Sequence, residues 1–321
     1  MRTMLRASAP LLAAIMMLLL PAAQALAEPA MWHVHDADTD ITLFGSVHAL
    51  PPPAAAGAAP PLPATGASTG TASPATTVSP STSWLTPRIA ARVDAADTLV
   101  LETILPDDPA ALGPLVAALG LKKGLPPVAD RVAPSKRAAL LAGVAALGLP
   151  AARLDAMKTW LAAIAIGDGA VSRLGLKPAD GVEATLIARV RAAHKPVIGL
   201  ETPEAQLRLF DNLSETDARA LLDSTVDDLA SARDDTNALV AYWRAGETEA
   251  LAADFDKSFR ATPNLQRVLL TTRNRAWADW IAARLAVPGK VFVAVGAGHL
   301  GGPGSVIALL QAKGLTVERL P

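Results

Sequence analysis

KVFVAVGAGHLGGPGSVIALL, residues 290–310, is the stretch from which the rest of the chain is read. Val291 to Val295 is a short, unbroken apolar run, the pattern of a buried strand in a parallel sheet. The run stops at Gly296-Ala297-Gly298-His299, where glycines let the backbone turn sharply and let other groups come close. It therefore offers His299 at a strand end. Gly301, Gly302, Pro303 and Gly304 break the chain before a helix expected over residues 305–312. The same device stands near the other end of the chain. Ile41 to Phe44 is an apolar strand, and Gly45-Ser46-Val47-His48 follows it. One Gly-x-x-His is a weak signal; a pair in matching strand context points to one shared site.

Composition bounds what that site does. The chain has 321 residues, with 29 Lys and Arg against 30 Asp and Glu, so no basic excess tracks nucleic acid. Hydrophobic residues make up 51%, enough for a substantial core, and much of that is helix-favouring alanine. There is no cysteine, which excludes disulfides, thiolate zinc sites and cysteine nucleophiles. Arg2 and Arg6, the apolar run Leu11 to Leu20 and the small-x-small triplet Ala25-Leu26-Ala27 read as a secretory signal peptide cleaved after Ala27. A mature domain over residues 28–321, periplasmic or secreted and without a further membrane span, is the expectation.

In chain order, Met31 to Val34 and Ile41 to Phe44 read as a hairpin around Asp36 to Asp40, with His33 and His35 as ordinary surface histidines. Residues 51–80 are almost wholly Pro, Ala, Gly, Ser and Thr, a composition that cannot bury enough apolar surface to order itself. A helix over 88–95 precedes the strand Thr98-Leu-Val-Leu-Glu102. Residues 107–166 are largely helical. A helix from Gly181 to His194 leads through Lys195-Pro196 into Val197-Ile-Gly-Leu-Glu201. Helices then continue to about Leu285, the last of them a single long one from Asn264, and Thr316 to Leu320 forms a final strand.

Four strands thus end in His48, Glu102, Glu201 and His299. Helical sequence follows the last three, so the connections are crossovers and these strands are expected to lie largely parallel. Ligands bind such sheets beyond the carboxyl ends of the strands. Two imidazoles and two carboxylates meeting there are a plausible first shell for a divalent metal with N and O donors. A glutamate outside that shell is a candidate general base, with Glu102 and Glu201 both eligible. A glutamate opening a helix also serves as an N-terminal charge worth roughly 0.3–1 kcal/mol. That reading competes at Glu201 and is the one given to Glu183. Arg273 suits a substrate carboxylate or a developing oxyanion; Asn274 suits a ligand or a water. Trp277 and Trp280 are expected to pack the core or the cleft wall. A phosphate-binding Gly-rich loop, a Gly-x-Ser-x-Gly elbow and a His-Glu-x-x-His pair are all absent from the sequence.

Taken in order, these segments resemble the TraB/PrgY/GumN family, which includes the Tiki-type membrane proteases. The matching elements are Leu43-Phe-Gly-Ser-Val-His-Ala-Leu-Pro51, Trp84-Leu, Asp97-Thr-Leu-Val-Leu-Glu102 and Gly181-Val-Glu183. They continue with Val197-Ile-Gly-Leu-Glu-Thr202 and Gln206, Arg273-Asn274, and Val295-Gly-Ala-Gly-His-Leu-Gly-Gly-Pro303. The resemblance implies an α/β (α+β) fold similar to erythromycin esterase and the ChaN haem-binding proteins, with one mixed sheet and many helices in a single domain. It implies metal-dependent peptidase activity supported by manganese or cobalt, with zinc the further candidate for the divalent cation. Carried over, the functional residues are His48, His299, Glu102, Arg273 and Asn274. Two other outcomes accompany the resemblance: peptide sequestration without cleavage, and esterase-like chemistry without metal on a small molecule. The Pro/Ala-rich insertion after Pro51 departs from the family pattern.

Overall fold

The computed structural model describes residues 28–50, 84–259 and 262–321. The expected leader and the insertion at 51–80 lie outside the described residues.

Four strands, β2 (Thr39–Ser46), β3 (Thr98–Thr103), β4 (Val197–Glu201) and β5 (Gly289–Gly296), run parallel. With β1 (Met31–His35) and β6 (Val317–Arg319), which join antiparallel, they make a mixed six-stranded sheet in the order β4-β3-β5-β2-β1-β6. The expected hairpin and the parallel strands are both present, and the fold is α/β. In the β2–β5 register, Gly45 faces Val295 and Ser46 faces Gly296, which sets the two Gly-x-x-His turns side by side. Leu101 pairs with Ala294 and Thr103 with Glu201. All four carboxyl ends therefore share one edge of the sheet.

The helices, in chain order, are α1 (Pro87–Ala95), α2 (Gly113–Gly120), α3 (Arg137–Ala146), α4 (Ala151–Asp155), α5 (Thr159–Arg173), α6 (Val182–Ala192), α7 (Pro203–Asp211), α8 (Glu215–Asp228), α9 (Ala232–Ala245), α10 (Thr248–Phe259), α11 (Pro263–Gln266), α12 (Thr272–Arg284) and α13 (Val306–Ala312). Local chemistry sets several starts. Thr86, Thr202 and Ser305 accept from the amide of the third residue of α1, α7 and α13, and Pro87 and Pro203 fill positions with no amide to satisfy.

Strand alternation divides the core. Ile41, Leu43, Val100, Val291, Val293 and Val295 face α12 and α13 through Trp277, Ile281 and Leu310. Phe44, Leu99, Leu101, Phe292 and Ala294 face α1, α6 and α9 through Ile89, Leu186 and Trp243. A third cluster, built by α3, α5 and α8 around Leu140, Trp160, Ile166 and Leu222, stands apart from the sheet.

The expected helix from Asn264 to Leu285 is not one helix. It is α11, a π-helical turn over Arg267–Thr271, and α12. Thr272 Oγ1 donates to the Arg267 carbonyl at 2.9 Å, across the wider turn. π-turns of this kind are frequent where a helix serves a site, and Arg273 follows directly.

Candidate active site

β2 ends at Ser46, and His48 lies two residues beyond it. The start of α6 holds this loop. The Val182 amide donates to the Val47 carbonyl at 3.1 Å. Gly181 lies so close that a Cβ there would sit 2.1 Å from the His48 carbonyl oxygen. One residue on, Glu183 Oε1 accepts from Ser46 Oγ at 2.6 Å and stands 2.7 Å from His48 Nδ1. Glu183, read from sequence as a helix-start charge, is thus the partner of His48. The usable signal was Gly181-Val-Glu183, which recurs among the matching segments. Donation from Nδ1 to the Glu183 carboxylate raises His48 to about 9 against the opposing effect of burial. Burial by itself would raise Glu183; His48 and Ser46 hold it below the ordinary carboxylate value. The His48 side chain is nevertheless 69% exposed, so solvent screens much of this coupling.

Glu102 sits next to last in β3 and Glu201 last in β4. Between them, from the first turn of α12, comes Arg273. Its Nε and Nη2 donate to Glu201 at 2.8 and 2.9 Å, and Nη2 donates to Glu102 Oε2 at 2.6 Å. Nη1 reaches the Leu269 carbonyl at 3.2 Å and lies 3.3 Å from His299 Nε2. Glu102 Oε1 accepts from the Gly296 amide at 2.6 Å and is 3.8 Å from His299 Nε2. Burial would raise Glu102. The charges of His299, Arg273 and His48, with the Gly296 amide, hold it lowered. Desolvation drives His299 down to about 4, so at neutral pH the charges acting on Glu102 are those of Arg273 and His48.

His299 is set by α12 as well. Its Nδ1 is 2.5 Å from Asn274 Oδ1, and Asn274 Nδ2 donates to the Gly304 carbonyl at 2.8 Å. With Nδ1 donating to that amide oxygen, the neutral ring leaves Nε2 as an acceptor. Trp277 packs against His299 at 4.5 Å between ring centroids, and the Arg273 guanidinium lies 4.5 Å above the same indole. Trp277 is buried in the core, as expected, and also forms a wall of the site.

These groups open on a cavity of about 230 Å³ lined by Ser46, His48, Glu102, Arg273, Gly296 and His299, with apolar Leu239, Leu251, Phe255 and Leu270 opposite. Gly296 is the floor. A Cβ added there would lie 3.0 Å from Glu102 Oε1, 3.5 Å from His299 Cδ2 and 3.8 Å from His48 Nε2. Of the residues expected at the site, His48, Glu102, Arg273 and His299 line the cavity. Glu201 and Asn274 stand behind it, holding Arg273 and His299. The donor set fits a divalent cation in one respect: both imidazoles are tied at Nδ1 and keep Nε2, with a carboxylate alongside. In another respect it does not yet fit. The Glu102, His48 and His299 donors are not gathered within 4.8 Å of one another, and Arg273 holds positive charge against Glu102 and His299.

The Escherichia coli K12 protein YbaP, itself uncharacterised, is 28% identical over 165 residues, 51% of this chain and 61% of its own length. YbaP of Shigella flexneri matches to the same extent. The alignment thus spans less than two thirds of these relatives. No solved structure matches significantly. Residues 70–319, more than half of the chain and all of the site except the His48 turn, match the TraB/PrgY/gumN family, and the chain belongs to that family.

Proposed function

We propose that this chain is a hydrolase, most readily a peptidase of the periplasm or the exterior, and that a divalent cation of the manganese, cobalt or zinc type assists it. The observation that supports this reading is the meeting of His48, Glu102, Arg273 and His299 around Gly296. His48 and His299 would hold the cation through Nε2, with Glu102 as third ligand or as general base. When bound, the cation would lower the pKa of its water and polarise the scissile carbonyl. The chain's own groups supply the rest. Arg273 faces the charge that develops on the carbonyl oxygen. Glu201 fixes the guanidinium, Asn274 fixes His299, and Glu183 fixes His48. Because the Glu183 carboxylate on Nδ1 keeps the His48 ring fully protonated, a cation at Nε2 would displace the Nε2 proton, so cation affinity rises with pH.

Arg273 against both Glu102 and His299 favours a second reading, hydrolysis without metal. Here Glu183 and His48 form the acid–base pair, His48 serving as base once its proton leaves near pH 9, and Arg273 supplies the positive charge.

The test is turnover of a peptide library by the purified protein. Wild type is compared with His48→Ala, His299→Ala and Glu183→Gln, with and without chelator. Each histidine variant should abolish turnover and keep a melting temperature near wild type. Chelation should stop the wild type, and manganese or cobalt should restore it. Turnover retained in either histidine variant rejects the site. Chelator-resistant turnover that Glu183→Gln lowers about a hundredfold or more selects the metal-free reading. Saturable peptide binding without products replaces hydrolysis by sequestration.

A further inference from the structure

β1 and β6 carry a cluster that the cleft does not use. His33 and His35 are two residues apart on β1 and so project from one face of the sheet. Their rings stack, with centroids 4.4 Å apart and planes at 16°. In the antiparallel β1–β6 register, Glu318 lies directly opposite His33, and residues so paired share a face. One donor atom from each of His33, His35 and Glu318 falls within 4.8 Å of the others, the one such trio of His, Asp and Glu among the described residues. The sequence had offered both histidines as ordinary surface residues. His35 is exposed, but His33 is only partly so.

A second observation bears on His33. Its Nε2 is buried and makes no aligned hydrogen bond. Asp40 Oδ1 nonetheless stands 2.9 Å away, and Arg92 Nη1 donates to the other oxygen of that carboxylate, Oδ2, at 3.2 Å. A carboxylate behind one ring nitrogen is the support that ligating imidazoles ordinarily have, with the other nitrogen left to the ion.

We propose that His33, His35 and Glu318 form a divalent transition-metal site separate from the cleft. Two imidazole nitrogens and one carboxylate oxygen suit zinc or copper(II) better than magnesium or calcium, which prefer all-oxygen shells. Three protein ligands leave a further position for water or another donor. β1 runs against β2, so His35 pairs with Asp40 at the start of β2, whereas the cleft lies past Ser46 at its end. Six residues of strand, about 20 Å at ~3.3 Å per residue, separate the two. The site also has a structural consequence. β6 pairs with β1 at only three positions, and an ion bound by both strands clips this short edge strand to the sheet.

The experiment is zinc titration of the purified protein carrying His48→Ala and His299→Ala, so that binding at the cleft does not contribute. Calorimetry reads stoichiometry and thermal melting reads stabilisation. One equivalent of zinc should bind and raise the melting temperature. Adding His35→Ala or Glu318→Gln, both at exposed positions, should abolish that event without changing the metal-free melt. Adding Asp40→Asn should weaken it about tenfold. Absence of zinc binding in the parent, or unchanged binding after both exposed substitutions, overturns the proposal. Either result is independent of whether the cleft hydrolyses peptide.

Discussion

At the scale of single residues, the two site histidines are shifted in opposite senses. His48 is raised to about 9 and His299 lowered to about 4, against an ordinary value of 6.5. For His48 the folded state binds the extra proton between about 6.5 and 9, so its contribution is complete below 6.5 and is lost as pH rises through 9. For His299 the unfolded state binds the extra proton between about 6.5 and 4, so stability falls as pH drops through that window. Together they place the stability maximum of the metal-free protein near pH 6.5. Chemical denaturation across pH 4–10 checks this. Glu183→Gln should flatten the alkaline limb, modestly because His48 is exposed, and His299→Gln should flatten the acid limb. An alkaline limb unchanged in Glu183→Gln would contradict the assigned His48–Glu183 bond.

At the scale of elements, the site is assembled by short connections between regular pieces. The start of α6 carries Gly181 at its cap, then Val182 and Glu183, which respectively allow close approach to the His48 loop, bond to it and orient the imidazole. Gly181→Ala would drive a methyl into the His48 carbonyl and force loop and helix apart. Overpacking of this kind costs about 1–3 kcal/mol, and the same displacement should pull His48 from Glu183 and lower turnover. Gly113→Ala, where an added Cβ meets nothing within 4 Å, is the matched control and should melt as wild type does. Equal melting of the two variants would refute the packing argument. The π-turn before α12 works alike. It widens the helix where Arg273 turns toward the strand ends, while Trp277, Ala278 and Ile281 stay buried. Apolar periodicity over 264–285 reads as one helix because helical spacing does not register one extra residue in a turn.

At the scale of the whole molecule, the helical layer of α3, α5 and α8 has a core of its own. Arg131 is 1% exposed there, and its guanidinium donates to the carbonyls of Pro126, Met157 and Asp155 at 2.8, 2.5 and 2.7 Å. Removing it orphans one buried and two part-buried carbonyls, and bonds from a charged donor are worth about 1.5–3 kcal/mol each. Arg131→Ala should therefore lower the melting temperature markedly, while the protein that remains folded keeps wild-type kcat. A selective loss of kcat at full stability would mean that this layer takes part in the site. Among the described residues no helix is long and apolar enough to cross a membrane.

The sequence by itself determined the strands and the chemistry at their ends. Short apolar runs closed by glycine, histidine or glutamate, with crossovers between them, lead to parallel strands and one shared edge, because alternation and chain connectivity are local properties. It could not assign partners. Glu183 meets His48 across 135 positions, Arg273 meets Glu102 across 171 and Glu201 across 72, and no local pattern encodes which carboxylate a helix start will deliver. Glu183 and Asn274 were thus given other roles than the ones they take beside His48 and His299, and His33 and His35 passed as surface residues until β6 brought Glu318 across from them. The tertiary structure decided these matters because hydrogen-bond partners and shared donor sets depend on register and helix placement. Those are fixed by burying both faces of the sheet at once.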